Sequence, residues 1–332
     1  MTVVLPEAFD RRFVVVSGKG GVGKSTLAAA IGMAAASAGR KTCIVQLNTR
    51  DAVGRLFLGA QSVGYEPTRL DARLPLWSVN LRPDEALREY SLMKLRFKTL
   101  HKIVFENEVM RRMLRMVPGV TETLLLGKAW FMEAMERDEA GQPRWDVLVI
   151  DAPSTGHGIS LLRLPEVLLS VVPVGPMADD ARQMRALLVD TERTAFHIAT
   201  LPAELPVNEA LDLAREARAS IGIPTGLMIA NQVLPDALSA ATQAKMQTLQ
   251  PPDALVAQAL DNGRAWIDRR ARQQQLLARL RTESPLPVIE VPHRLGPIDV
   301  AATRWLAEAL VAQAAATPVP SAPASAGRWM GQ

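Results

Sequence analysis

The 332-residue sequence contains a single cysteine, Cys43. That count excludes an intramolecular disulfide and any metal site built from several of the chain's own thiolates, and it fits a reducing compartment. Cys43 stands in "TCIVQL", an apolar run that predicts a buried strand, where a thiol behaves as a small hydrophobe. Histidine is scarce as well, with His101, His157, His197 and His293 only, none at metal-ligand spacing. Long apolar runs are missing: "ISLLRLPEVLLSVVPVGPM" is interrupted by Arg163, Glu166 and three prolines, short of the roughly 18 to 20 uninterrupted apolar residues a membrane span requires. The start, "MTVVLPEAFDRRF", lacks the basic segment and apolar core of an export signal, so a cytoplasmic location is expected. Charge bias is weak too. A net charge of +4 and a pI near 9.4 come without the dense Lys/Arg blocks that mark nucleic-acid or anionic-membrane binders. No nucleic-acid partner is expected, and membrane contact only indirectly. Six arginines in "RAWIDRRARQQQLLARLR" fit the solvated face of an amphipathic helix better than a nucleic-acid patch.

What is present is a series of short apolar runs alternating with helical patterns: "RFVVVSG", "TCIVQL", "WDVLVIDAP", "TAFHIATLP", "TGLMIANQV" and "PVIEVP". Continuous apolar strands bounded by turn residues predict a parallel sheet covered on both faces, that is, a doubly wound α/β fold. The spacing breaks once, between "TCIVQL" and "WDVLVIDAP", where most of the sequence reads as helix. A helical insertion over about 83–140 is expected within one domain spanning 1–313. From about Ala314 the composition turns to Ala, Pro and Ser, which predicts a disordered tail over 314–332.

The segment Gly18-Lys19-Gly20-Gly21-Val22-Gly23-Lys24-Ser25 satisfies G-x-x-x-x-G-K-[ST] directly after an apolar strand and before an alanine-rich helix. Glycines let backbone N–H groups approach phosphate oxygens, and the helix N-terminus favours their charge. Lys24 reaches the β- and γ-phosphates, Ser25 suits Mg²⁺, and Thr26 the α-phosphate. Asp151, at the end of "WDVLVIDAP", stands where such enzymes place a carboxylate near the Mg²⁺ hydration shell. The plainer account of Asp151 is a loop cap after a buried strand. The expected ligands are ATP and Mg²⁺.

One lysine suffices for that cradle, yet there are two. "KGGVGKST", with Lys19, resembles the deviant phosphate loop of the MinD/ParA/nitrogenase-iron-protein group. "DAPSTGH" resembles the switch of the ArsA family, which includes the ATPase that delivers tail-anchored membrane proteins. "PDEALREY", "PGVTE", "LLRLPE", "DTERTAFHIATLPAELPVNEALDLAR", "ANQVLP" and "VIEVP" follow in matching order. The resemblance implies an ATPase acting as a dimer, with the extra lysine, Lys19, contacting the partner's nucleotide. It further implies that Asn231 recognises adenine and that Pro292 forms another part of that pocket. Asn231 is otherwise readable as a turn residue after a strand. His157, after the switch glycine, is expected to respond to the γ-phosphate through loop motion rather than act as a base.

The chain departs from the family at the second strand, where Asn48 stands in place of the aspartate that positions attacking water. An asparagine orients water but accepts no proton, and losing a general base costs on the order of 10² to 10⁴ in rate. Asp51 could substitute only if the loop took a different path. The cysteine count also removes the clustered thiols of arsenite-pump members and the shared zinc of eukaryotic tail-anchor members. Met93, Met110, Met113, Met116, Met132 and Met135 concentrate in the insertion. They suit either the insertion's own core or an apolar protein segment as client. Two functional expectations therefore stand: an ATP-driven dimeric switch whose helical insertion holds a partner, or a hydrolytically weak subunit of a heterodimer with a catalytically complete paralogue. A ParA- or MinD-type partition ATPase fits less well, because "SAPASAGRWMGQ" cannot form the terminal basic amphipathic helix of the MinD type.

Overall fold

A computed structural model describes residues 4–47, 51–94 and 120–317. Its eight strands are β1 (Phe13–Gly18), β2 (Thr42–Leu47), β3 (Thr68–Arg69), β4 (Leu76–Leu81), β5 (Val147–Ser154), β6 (Thr194–Thr200), β7 (Thr225–Val233) and β8 (Val288–Pro292). They form one sheet in the order β3-β4-β2-β5-β1-β6-β7-β8. Every pairing is parallel except that of β3, which runs antiparallel on the edge beside β4. β1 lies between β5 and β6 and is buried along its whole length. A strand covered on both faces must be apolar throughout, and "FVVVSG" is.

Helices α1 (Lys24–Ser37), α2 (Ala52–Leu58) and α10 (Val300–Ala315) cover one face of this sheet. α1 is buried on nearly all sides, and its alanines permit that by keeping it thin between the sheet and α10. Gly32 marks the tightest approach, since a Cβ there would lie 2.7 Å from Ile44 Cγ1. The other face carries a second core. Over it lie α3 (Pro83–Lys94), α4 (Val120–Ala134), α5 (Thr155–Val171), α6 (Pro176–Val189) and α7 (Glu204–Glu216). α8 (Ala240–Thr248) packs on α9 (Ala254–Glu283), whose Leu277 and Leu280 reach the same core. The arginine-rich stretch lies in α9, where these leucines face inward and most arginines lie at least partly exposed.

The six strand segments read from sequence all form strands, and Cys43 is fully buried in β2. β3 and β4 are additions: they fall between β2 and the expected insertion, and next to the edge strand β3 lies β4, "LWSVNL". Its buried Ser78 masks the apolar run, but the hydroxyl is satisfied by donating to Ile44 O at 2.8 Å. α3 and α4 fall within the expected insertion, while Met110, Met113 and Met116 lie outside the described residues. The last helix runs through Ala315, two residues into the stretch expected to be tail, and 318–332 lie outside the described residues. Among the described residues no helix is long and apolar enough to cross a membrane.

Candidate nucleotide site

Strand order places the site. β1 is followed in sequence by strands on one side and later by β6, β7 and β8 on the other, so a crevice opens beyond the carboxyl ends of β5, β1 and β6. The phosphate loop, 19–23, fills that crevice between β1 and α1. Gly18 has φ 146° and a Cβ there would stand 2.2 Å from Ala199 O on β6. Gly23, at the N-cap of α1, has φ 92°, and its Cβ would stand 2.5 Å from Asn231 Nδ2. Only glycine fits either position. Lys24, Ser25 and Thr26 open α1, so its unpaired N–H groups face the loop and make a ready anion site. Gly20 and Gly21 are exposed, and Val22 anchors the loop in the core.

Asp151 lies opposite Val16 of β1 and Gln46 of β2 in the sheet register. Its carboxylate takes a hydrogen bond from the Ser25 side chain and feels the Lys24 ammonium. Burial pushes its pKa up from 3.8 to about 6, against those two opposing influences. Burial likewise lowers the Lys24 pKa, and Asp151 partly offsets this. One carboxylate oxygen, Oδ2, is buried with no hydrogen-bond partner among the described residues. A buried carboxylate with an unused oxygen beside a serine hydroxyl is a donor pair suited to Mg²⁺, a hard cation that prefers oxygen ligands. Ser25 and Asp151 therefore fit the ion.

Lys24 Nζ donates to Lys19 O at 3.0 Å, drawn back on its own loop. Lys19 Nζ forms an ion pair with Glu209 of α7. Asn231, on β7 and 7% exposed, donates from Nδ2 to Val22 O at 2.9 Å and accepts from Gln232 N at 2.9 Å. Gln232 takes a left-handed backbone, φ 58°, where the register of β7 against β8 shifts, so Asn231 lies within the strand rather than in a turn after it. A primary amide carries two N–H donors and two lone pairs, so Asn231 retains one of each. Pro292 ends β8 beside β7, paired with Val233. The cradle and the pair Asn231/Pro292 thus share the carboxyl edge of the sheet.

Asn48, Thr49 and Arg50 directly follow β2 and lie outside the described residues. Asp51 is described, and its carboxylate is occupied. It caps α2 by accepting from Gly54 N at 2.7 Å, and it also accepts from Val63 N at 2.6 Å and from Gln46 Nε2 at 2.9 Å. A Cβ at Gly54 would strike that carboxylate at 2.0 Å. His157 falls in the first turn of α5. His197 is a structural residue: fully buried, it bonds Ala8 O at 2.8 Å and accepts from Leu227 N at 3.0 Å, and burial lowers its pKa to about 4.

Two residues of the site carried no role in the sequence. Gln46 is an amide in a buried strand, the sort of polar interruption that signals a buried network. Glu209 sits in a helix whose exposed face is rich in acidic and basic residues, so nothing distinguished it from its neighbours.

The model of the anion-transporting ATPase family matches residues 11–174. ATPase BagA of Mycobacterium tuberculosis is 30% identical over 245 residues, which cover 70% of this chain and 68% of the relative. A putative arsenical pump-driving ATPase of Halobacterium salinarum is 27% identical over 241 residues, 68% of this chain but 36% of the longer relative. ATPase GET3B of Arabidopsis thaliana is 24% identical over 276 residues, covering 69% of this chain and 66% of the relative. With the phosphate loop, its strand-borne carboxylate and the eight-stranded sheet in place, the chain belongs to the anion-transporting ATPase (ArsA/GET3) family.

Proposed function

We propose that the chain is an Mg-ATP-binding cytoplasmic switch that works as a dimer. In this reading hydrolysis rearranges the helical insertion, which holds or releases a protein partner. The observation that carries the reading is the Asp151 oxygen left without a hydrogen-bond partner among the described residues, beside Ser25 and Lys24 at the foot of a phosphate loop. Ser25 and Asp151 hold Mg²⁺, which neutralises phosphate charge when bound. Lys24 exchanges the Lys19 carbonyl for phosphate oxygens, and the loop amides and Thr26 take the remainder. Asn231 and Pro292 flank the adenine, and Lys19 serves the opposite subunit.

Support for a partner comes from a cavity of about 420 Å³ between α3, α4, α5 and α6. Trp130, Phe131 and Met184 line it, while Met135, Val167 and Met177 leave apolar surface exposed around this part of the fold. Met132 instead packs in the core.

A second reading is favoured by Asp51. With its carboxylate occupied as a cap, it is poorly placed to replace the proton acceptor missing at Asn48, which suits a slowly hydrolysing subunit paired with a complete paralogue. One set of measurements tests both. Fluorescent Mg-ATP analogues should bind the purified chain and lose affinity about 10- to 150-fold with Lys24→Ala, the loss of one charge-assisted contact. Binding indifferent to Lys24→Ala and to chelation of Mg²⁺ contradicts the site. Single-turnover hydrolysis then separates the readings: brisk turnover by the unmodified chain alone removes the weak-subunit reading. Acceleration by Asn48→Asp, on the order of 10²-fold or more, supports it.

A further inference from the structure

Lys19 is not extended into solvent in the single chain. Its ammonium is paired with the carboxylate of Glu209, 190 residues away in sequence, and the two side chains are 28% and 32% exposed. The partner is delivered by the scaffold: α7 follows β6, and β6 lies against β1 with Ala199 beside Gly18. The Lys19 carbonyl meanwhile accepts from Lys24. Both lysines of the loop are thus held by groups of their own subunit. An ammonium has three donors and no acceptor, so what it binds is decided by which negative groups are nearby.

We propose that Glu209 is a positioning residue that holds Lys19 against its own subunit, so that the phosphates of the second subunit's nucleotide must displace the Glu209 carboxylate before Lys19 crosses. The inference rests on the dimeric reading above. With Mg²⁺ bound to each, a triphosphate presents more negative charge to the lysine than a diphosphate, so the competition favours crossing in the ATP state. A partly exposed ion pair is weak, and the device therefore sets a threshold rather than a lock.

Sedimentation of the full-length chain against increasing Mg-ATP measures that threshold. Removing the competing charge with Glu209→Gln or Glu209→Ala should lower the Mg-ATP concentration at half-dimerisation about two- to fivefold. Glu209→Asp, which keeps the charge, should stay closer to the unmodified chain. In a Lys19→Met background, Glu209→Gln should change nothing. A threshold unchanged or raised in both neutral variants overturns the inference, as does a shift that persists without Lys19. Thermal melting of each variant separates misfolding from a shifted equilibrium. If the unmodified chain shows no ATP-dependent dimer, the dimeric reading and this inference fall together. If it dimerises and the neutral variants do not differ from it, only this inference falls.

Discussion

Asp151 is a residue whose charged form is disfavoured by burial. Its carboxyl is 1% exposed, one oxygen lacks a partner among the described residues, and its pKa is raised to about 6. Between pH 3.8 and about 6 the folded chain keeps a proton that the unfolded chain has lost, so the metal-free protein loses stability as pH rises through that window. A shift of about two units corresponds to about 3 kcal/mol. Asp151→Asn removes the charge and should raise the melting temperature of metal-free protein at pH 7.5 while leaving it little changed at pH 4. The same variant should bind Mg-ATP more weakly. A melting curve for Asp151→Asn that follows the unmodified chain at both pH values would show that burial of this carboxylate is not destabilising.

At the scale of elements, α2 depends on a polar cluster rather than on its own sequence. Seven residues are too few to hold a helix by propensity. Asp51 caps it, and Gln46 Oε1 accepts from Ala52 N at 3.1 Å and Val53 N at 3.2 Å. Asp51→Asn keeps one acceptor but sets an amide donor against Val63 N, which costs about 1–3 kcal/mol. Single-turnover hydrolysis should fall less than tenfold, whereas loss of a general base would lower it on the order of 10²-fold or more. Chemical denaturation and a single-turnover assay of this one variant therefore distinguish cap from base. The same cluster shows what the sequence made legible and what it did not. The phosphate loop, the strand before it and Asp151 were legible because each is local: a spacing of glycines, an apolar run, a carboxylate at a strand end. β4 was not, because Ser78 looks like an exposed polar residue until Ile44, 34 positions earlier, supplies its acceptor. Glu209 and the role of Asp51 were hidden for the same reason. Their meaning lies in partners brought together by the sheet, and α2 could only be read once Gln46 was seen to face it.

On the scale of the whole molecule, polar contacts linked by short stretches of backbone run from the carboxyl edge of the sheet to α3 and α4. Gln46, in register with Asp151, holds Asp51, and Asp51 accepts from Val63 N. Two residues on, the Tyr65 hydroxyl donates to Glu89 of α3 at 2.5 Å, burial and that carboxylate both raising the phenol's pKa. Glu89 also accepts from Lys128 of α4 at 2.9 Å, and Lys128 donates to Glu136 at 3.1 Å while lying 5.1 Å from the centre of the Phe131 ring. Glu89, Lys128 and Phe131 all line the cavity. Spatial continuity alone does not establish coupling, which requires an element whose equilibrium both ends bias. Tyr65→Phe supplies the test, because it cuts the route at Glu89 while leaving the phosphate loop and every cavity-lining residue unsubstituted. The variant should lose about 1–2 kcal/mol of stability and bind Mg-ATP within about twofold of the unmodified chain. The response of the insertion to nucleotide is the quantity that should change. Amide hydrogen exchange in α3 and α4, measured with and without Mg-ATP, should show a smaller nucleotide-induced difference in Tyr65→Phe. An equal difference in both proteins would mean that the insertion receives its signal by another path, most directly through β5 and α5, which run from Asp151 to the opposite wall of the cavity.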